Sequence, residues 1–185
     1  GVMGSSMVKH LLNAGYPVTV YNRTKEKAQA VVEAGAKWAD TPKEVAAQSD
    51  VVLTIVGYPT DVEEVYFGEE GIFQDLQKGT ILIDLTTSTP SLAKKIAEEA
   101  EKSSCEALDA PVSGGDLGAK NGTLSTMVGG KDSVLEEVRP ILETFSKTIT
   151  LQGTNGAGQH TKMANQIMIA GTMSGLVEML VYAKA

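Results

Sequence analysis

The sequence is short of the residues from which disulfides and metal sites are built. One cysteine, Cys105, stands among 185 residues, which excludes an intrachain disulfide framework and any multi-cysteine metal site. The two histidines, His10 and His160, lie far apart and read as partly exposed helix residues, so no metal centre is expected. Positive charge is scarce too. Sixteen Lys and Arg against 23 Asp and Glu leave a net charge of −7, which gives no electrostatic basis for nucleic-acid binding. No apolar run approaches the roughly 20 residues of a membrane-spanning helix, and no cleavable leader pattern opens the chain. The expectation is a soluble protein of a reducing, cytoplasmic compartment, with neither membrane nor nucleic acid as partner. Internal repeats and low-complexity linkers are also missing.

What the chain does have is an alternation of short helical and strand patterns. Gly1-Val2-Met3-Gly4 leads into a segment whose apolar positions Met7, Val8, Leu11 and Leu12 share one helical face, closed by Gly15. Val18 to Tyr21 then reads as a short buried strand. Gly-x-x-Gly opening a helix that returns to a strand is the second half of the dinucleotide fingerprint G-x-G-x-x-G. The first strand and first glycine are expected upstream, because the chain starts without an initiator methionine and ends at Ala185 inside a helical pattern. It therefore reads as a piece of a longer protein. In such a fingerprint the amides and dipole of the first helix hold a pyrophosphate; a plain capping glycine pair is the alternative. The strand is followed by Asn22, Arg23, Thr24 and Lys25. An acid at this point would select NAD through the ribose hydroxyls. Cations and hydroxyls suit the 2′-phosphate of NADP instead, although Thr24 also serves as a plausible helix N-cap.

Further strands are expected at 51–56, 81–85, 105–108, 123–128 and 148–151, and helices at 25–34, 41–48, 61–67, 91–102 and 133–145, the last capped by Asp132. The run Val51 to Val56 is continuously apolar, as expected where helices cover both faces of a parallel sheet. In such sheets ligands bind outside the carboxyl ends of the strands. Those ends carry Asn22-Arg23, Gly57-Tyr58-Pro59, Thr86-Thr87-Ser88 and Asp109-Ala110-Pro111. The fold class expected is a doubly wound, mostly parallel α/β sheet of Rossmann type over residues 1–152. A hinge and interdomain helix follow over 153–185, the first helix of an otherwise missing all-helical domain.

Two stretches carry candidate chemistry. Asp109 to Leu124 holds four glycines, one proline and small polar residues between two strand patterns, and is expected to be a loop. Ser113, Gly114 and Gly115 can present backbone amides and a hydroxyl to a carboxylate or phosphate; a long structural turn is the alternative. The second stretch begins at the glycine-rich 153–158. From Gln159 to Ala185 there is no proline, and methionines 163, 168, 173 and 179 with Ile167, Ile169, Leu176, Val177 and Leu180 cover much of a helix circumference. Such a helix needs partners on several sides, so a homodimer or higher homo-oligomer is expected. Lys162 lies near its start, sharing a face with Asn165 and Gln166. A lysine and an amide aimed at one spot suit the protonation and orientation of a carbonyl oxygen, whereas an exposed surface lysine is the commoner arrangement.

Taken together, these residues resemble the β-hydroxyacid dehydrogenases along essentially the whole chain. Gly1-Val2-Met3-Gly4 resembles the tail of that family's cofactor loop, and Asp109-Ala110-Pro111-Val112-Ser113-Gly114-Gly115 through Gly122-Thr123-Leu124 its substrate loop. Gly156-Ala157-Gly158 with Lys162-Met163-Ala164-Asn165-Gln166 resembles its catalytic-lysine helix, and Tyr58-Pro59 and Thr86-Thr87 its dinucleotide-lining positions. The family often has Asn four residues after the lysine, where this chain has Gln166. The lysine and substrate loop together separate it from the imine-reductase relatives. Phosphogluconate dehydrogenase typically has a histidine where Asn165 stands. The resemblance implies an NADP-preferring enzyme, with NAD the alternative, that acts on a small-molecule substrate. It would interconvert a short β-hydroxy acid and its semialdehyde, of the 3-hydroxyisobutyrate, tartronate semialdehyde, glyoxylate or succinic semialdehyde type. Lys162, Asn165 and Gln166 would be catalytic, Ser113, Gly114 and Gly115 would bind substrate, and the dinucleotide would lie along Gly1–Gly4, Asn22, Arg23, Thr24, Tyr58, Pro59, Thr86 and Thr87. A non-catalytic dinucleotide-binding module, or an inactive piece of such an enzyme, is the rival reading.

Overall fold

Helix and strand alternate as expected in a computed structural model that describes residues 1–184. Helix α1 (Val2–Asn13) returns to β1 (Thr19–Val20). A 3-10 turn over Lys25–Ala28 leads to α2 (Gln29–Glu33) and to β2 (Lys37–Trp38), which pairs in parallel with β1. Then come α3 (Pro42–Ala46), β3 (Val51–Thr54), α4 (Pro59–Phe67), β4 (Ile81–Asp84), α5 (Pro90–Lys102) and β5 (Glu106–Asp109). Each of these three helices starts on a proline, whose fixed φ suits the first turn and whose missing N–H is not needed there. The remainder is β6 (Val112–Ser113), α6 (Gly115–Asn121), β7 (Leu124–Gly129), α7 (Asp132–Leu142), β8 (Ser146–Gly153) and α8 (Ala157–Lys184).

The larger sheet runs β3-β4-β5-β7-β6, with β8 on β7. Strands β3, β4 and β5 are parallel and in step, Thr54 opposite Asp84 and Asp84 opposite Asp109. The chain then changes partner without leaving the sheet. Asp109↔Gly129, Val112↔Thr126 and Ser113↔Ser125 are rungs of a single antiparallel register with β7. Strands β5 and β6 are thus one path across the sheet, and Asp109 is where it passes from β4 to β7. Side chains alternate between two cores. Ile81 and Ile83 pack with Met7, Leu135 and Phe145 on one face, and Leu82 packs with Val62, Tyr66 and Ile96 on the other. Each fully buried aliphatic side chain contributes roughly 1.5–3 kcal/mol. Cys105 lies in the second core, its thiol donating to the Gln77 carbonyl at 3.0 Å.

Several expectations need correcting. The glycine-rich stretch after Ser113 is not all loop, because it contains α6. Gly114 at φ +131° and Gly115 at φ +62° turn the chain into that helix, and Gly122 in the left-handed region ends it. The His10 ring Nε2 lies 3.0 and 3.1 Å from the Ala119 and Lys120 carbonyls, so its N–H tautomer caps the end of α6. Asp132 lies in the first turn of α7 rather than capping it. Helix α8 begins at Ala157, which puts Lys162 in its second turn; the expected end at Ala185 lies outside the described residues. By length and composition α8 is apolar enough to cross a membrane, because its few polar residues do not interrupt the helix. Met163 and Ile167, taken from the sequence as signs of burial, are 44% and 75% exposed.

Candidate active site

At the start of α1, Gly1 offers no side-chain cap, so the amides of Val2, Met3 and Gly4 have no acceptor within the helix. A methyl group on Gly4 would come within 3.1 Å of Ile55 Cγ2, so glycine lets the helix approach the exit of β3. Beyond β1, Asn22 Nδ2 donates to the Thr24 carbonyl at 2.6 Å. Arg23 reaches across to Asp61 at 3.2 Å, with its own side chain 85% exposed. Asp61 also accepts from the Tyr58 amide at 3.0 Å, so one carboxylate, which the sequence reading missed, gathers the exits of β1 and β3. Tyr58 and Thr87 are exposed. Lys25 instead pairs with Asp40 at 3.6 Å and lies 4.9 Å from the Trp38 ring centre, turned away from Arg23's partner. Unclaimed helix amides and an exposed arginine fit the phosphates of a dinucleotide.

Thr86 is structural as well as local to this cleft. Buried, it accepts from the Val56 amide at 3.0 Å through Oγ1, and its own amide donates to Asp84 Oδ1 at 3.0 Å. Asp84 also accepts from the Thr54 hydroxyl at 3.0 Å, and that hydroxyl meets Tyr66 Oη at 3.0 Å. Burial, with a smaller contribution from Asp109, pushes the Asp84 carboxyl up to about 6 against these hydrogen bonds. The neighbouring Ser88 hydroxyl is buried without a partner among the described residues.

The lysine sits behind a tightly tied turn. Asp109, 2% exposed, accepts from the Gly156 amide at 2.7 Å and the Gln159 amide at 2.9 Å. Gln159 is fully buried. Its Nε2 donates to the Thr86 carbonyl at 2.7 Å, and its Oε1 accepts from the Ser88 amide at 2.9 Å. One turn later Lys162 is 6% exposed, and burial pulls its ammonium below the ordinary lysine range. Among the described residues no carboxylate pairs with it. Asn165 is half-buried and Gln166 exposed, and they contact each other at 3.4 Å. Ser113 is half-buried at the end of β6, with Gly114 and Gly115 exposed beyond it. The same strand path carries Asp109, so the substrate-loop candidates and the lysine helix hang from one residue. Asp109 and Gln159 were not singled out in the sequence. The only signal was an acid closing an apolar strand run, with glycine-rich amides far along the chain.

Residues 1–153 match the family model described as the NAD binding domain of 6-phosphogluconate dehydrogenase. The uncharacterized oxidoreductase YkwC of Bacillus subtilis is 56% identical over 184 residues, covering 100% of this chain and 64% of that protein. The 2-hydroxy-3-oxopropionate reductase of Escherichia coli is 39% identical over 183 residues, covering 99% of this chain and 62% of that protein. The solved structure of Mycobacterium tuberculosis 3-hydroxyisobutyrate dehydrogenase with L-serine superposes with a TM-score of 0.92 at 32% identity, covering 100% of this chain and 62% of that one. The chain spans less than two thirds of the length of each of these three proteins.

Proposed function

The chain belongs to the family of 6-phosphogluconate dehydrogenase NAD-binding domains, and we propose that its full-length protein is an NADP-preferring dehydrogenase of short β-hydroxy acids and their semialdehydes. The observation that carries this reading is Lys162, buried and without a carboxylate partner among the described residues. A buried ammonium is costly unless it has a task. A bound nicotinamide supplies the hydride in reduction and accepts it in oxidation. The uncapped amides of Val2, Met3 and Gly4 hold the pyrophosphate, and exposed Arg23 with Thr24 takes a 2′-phosphate. Ser113 and the amides of Gly114 and Gly115 hold the substrate carboxylate. Lys162 gives a proton to the carbonyl oxygen during reduction and takes one from the hydroxyl during oxidation, and half-buried Asn165 orients the same oxygen. Its lowered proton affinity favours that exchange near neutral pH.

Replacing Lys162 by Ala in the full-length protein tests this reading. Steady-state oxidation of NADPH with a panel of short semialdehydes is expected to show kcat reduced about 10²–10⁴-fold, the range for losing a general acid–base group. Dinucleotide affinity should be little changed. Lys162→Arg should not restore the rate, because a guanidinium keeps its proton. Near-full turnover in Lys162→Ala would place the proton donor elsewhere and favour a dinucleotide-binding module.

A further inference from the structure

We propose that Asp109 and Gln159 are positioning residues for Lys162: they lash the first turn of α8 to the exits of β4 and β5, which keeps the lysine aligned and dry. The inference deepens the reading of Lys162 as the proton-transfer group and rests on it for its effect on turnover. Four hydrogen bonds make the tie, two from amides of Gly156 and Gln159 to the Asp109 carboxylate and two through the Gln159 side-chain amide. Asp109 is well placed to anchor them, since its backbone pairs with Asp84 on one side and Gly129 on the other. A helix normally leaves its first amides to a cap from its own leading residues. Here the leading Asn155 side chain is spent on the Ala107 carbonyl at 2.7 Å, and the acceptor comes from a strand 47 and 50 residues away.

The packing leaves the turn little freedom. A methyl group on Gly158 would strike the Met127 and Asp109 carbonyls, and one on Gly129 would strike the Asp109 carboxylate. Lys162 follows Gln159 by three residues, on the same side of the helix, so a change in that turn is passed to the lysine directly. The charged groups near the tie are Asp109 itself, Asp84 on the adjacent rung and Lys94 of α5, whose side-chain carbons lie against Gly156. Burial alone depresses the lysine, so Asp109 acts on it through the backbone and not as a counter-ion.

The proposal is tested in the full-length protein with Gln159→Met, which keeps the side-chain length and loses both hydrogen bonds, and Asp109→Asn, which turns an acceptor toward an amide as a second donor. Two readouts are taken: the titration of Lys162, followed by NMR of ¹³Cε-labelled lysine, and the pH profile of kcat for semialdehyde reduction. With the tie cut, water reaches the lysine and its proton affinity rises. Lys162 is then expected to titrate at higher pH in each variant that keeps the wild-type circular dichroism. The alkaline limb of kcat should move the same way, and kcat should drop at least tenfold with KM for the dinucleotide little altered. If Gln159→Met is folded and Lys162 titrates as in wild type, the proposal is overturned, whatever Asp109→Asn does. If the titration moves while Lys162→Ala retains turnover, the tie stands and the assignment of Lys162 as proton donor fails. A loss of folding in Gln159→Met as well would make the two residues structural supports of the domain and would equally overturn the proposal.

Discussion

Asp84 is a buried carboxylate on the Tyr66 side of the sheet, and its surroundings give it a measurable pH signature. In the unfolded chain such a group titrates near 3.9, whereas burial raises it to about 6 in the fold. Between about pH 4 and pH 6 the native state holds a proton that the unfolded chain has released. Stability therefore falls as pH rises through that window, and the full penalty is present above it. A shift of about two units corresponds to on the order of 3 kcal/mol. Asp84→Asn is expected to raise the denaturation midpoint at pH 7.5, with the advantage shrinking towards pH 4; an advantage equal at both pH values would contradict this. At Arg23 the side chain is exposed and its partner Asp61 is only partly so, so the pair contributes little to stability and is free to exchange for a ligand. Arg23→Ala is expected to reduce the ratio of kcat/KM for NADPH over NADH by roughly 10–100-fold, the loss of one charge-assisted contact of about 1.5–3 kcal/mol. A wild type that prefers NADH would refute the assignment of this loop.

The elements themselves were largely legible. The continuous apolar run Val51 to Val56 announced a strand, and Pro42 and Pro90 marked helix starts, because both signals are local; Pro59 read only as a strand breaker, and α4 begins on it. Helix α6 was not legible, because four glycines and few apolar residues hide it. It is held by tertiary contacts, including the His10 ring over its last carbonyls. The tie at the start of α8 was equally hidden, since Asp109 and Gln159 find partners 47 to 73 residues away, and no periodicity reports such pairings. The candidate residues Thr86 and Lys162 are linked through Gln159, which no local pattern marks out. Gly158 shows how tight this junction is. Gly158→Ala drives a methyl group into the carbonyls of Met127 and Asp109, and overpacking of this kind costs about 1–3 kcal/mol. The expected result is a fall in Tm of several degrees by calorimetry. An unchanged Tm would mean that the junction yields.

At the scale of the molecule the largest feature is an apolar helix without cover. Every residue from Gln166 to Lys184 is exposed, including Ile167, Met168, Met173, Leu176 and Leu180. Exposed apolar surface of this extent marks an association site or an aggregation liability. The 185-residue chain alone is expected to self-associate in a concentration-dependent way by light scattering. Met168→Glu combined with Leu176→Glu should shift it toward monomer, and a wild-type chain that stays monomeric at high concentration would refute this.

The continuity of β5 and β6 also sets where the gene tolerates change in length. Asp109 to Ser113 keeps step with one neighbouring strand at its beginning and another at its end. One inserted codon here would either break the second register or turn Val112 from core to surface. The exposed turn at 77–79 is bound to no such double alignment. Insertions should therefore survive there and fail within the five residues after Leu108, making that short stretch the most length-sensitive part of the reading frame.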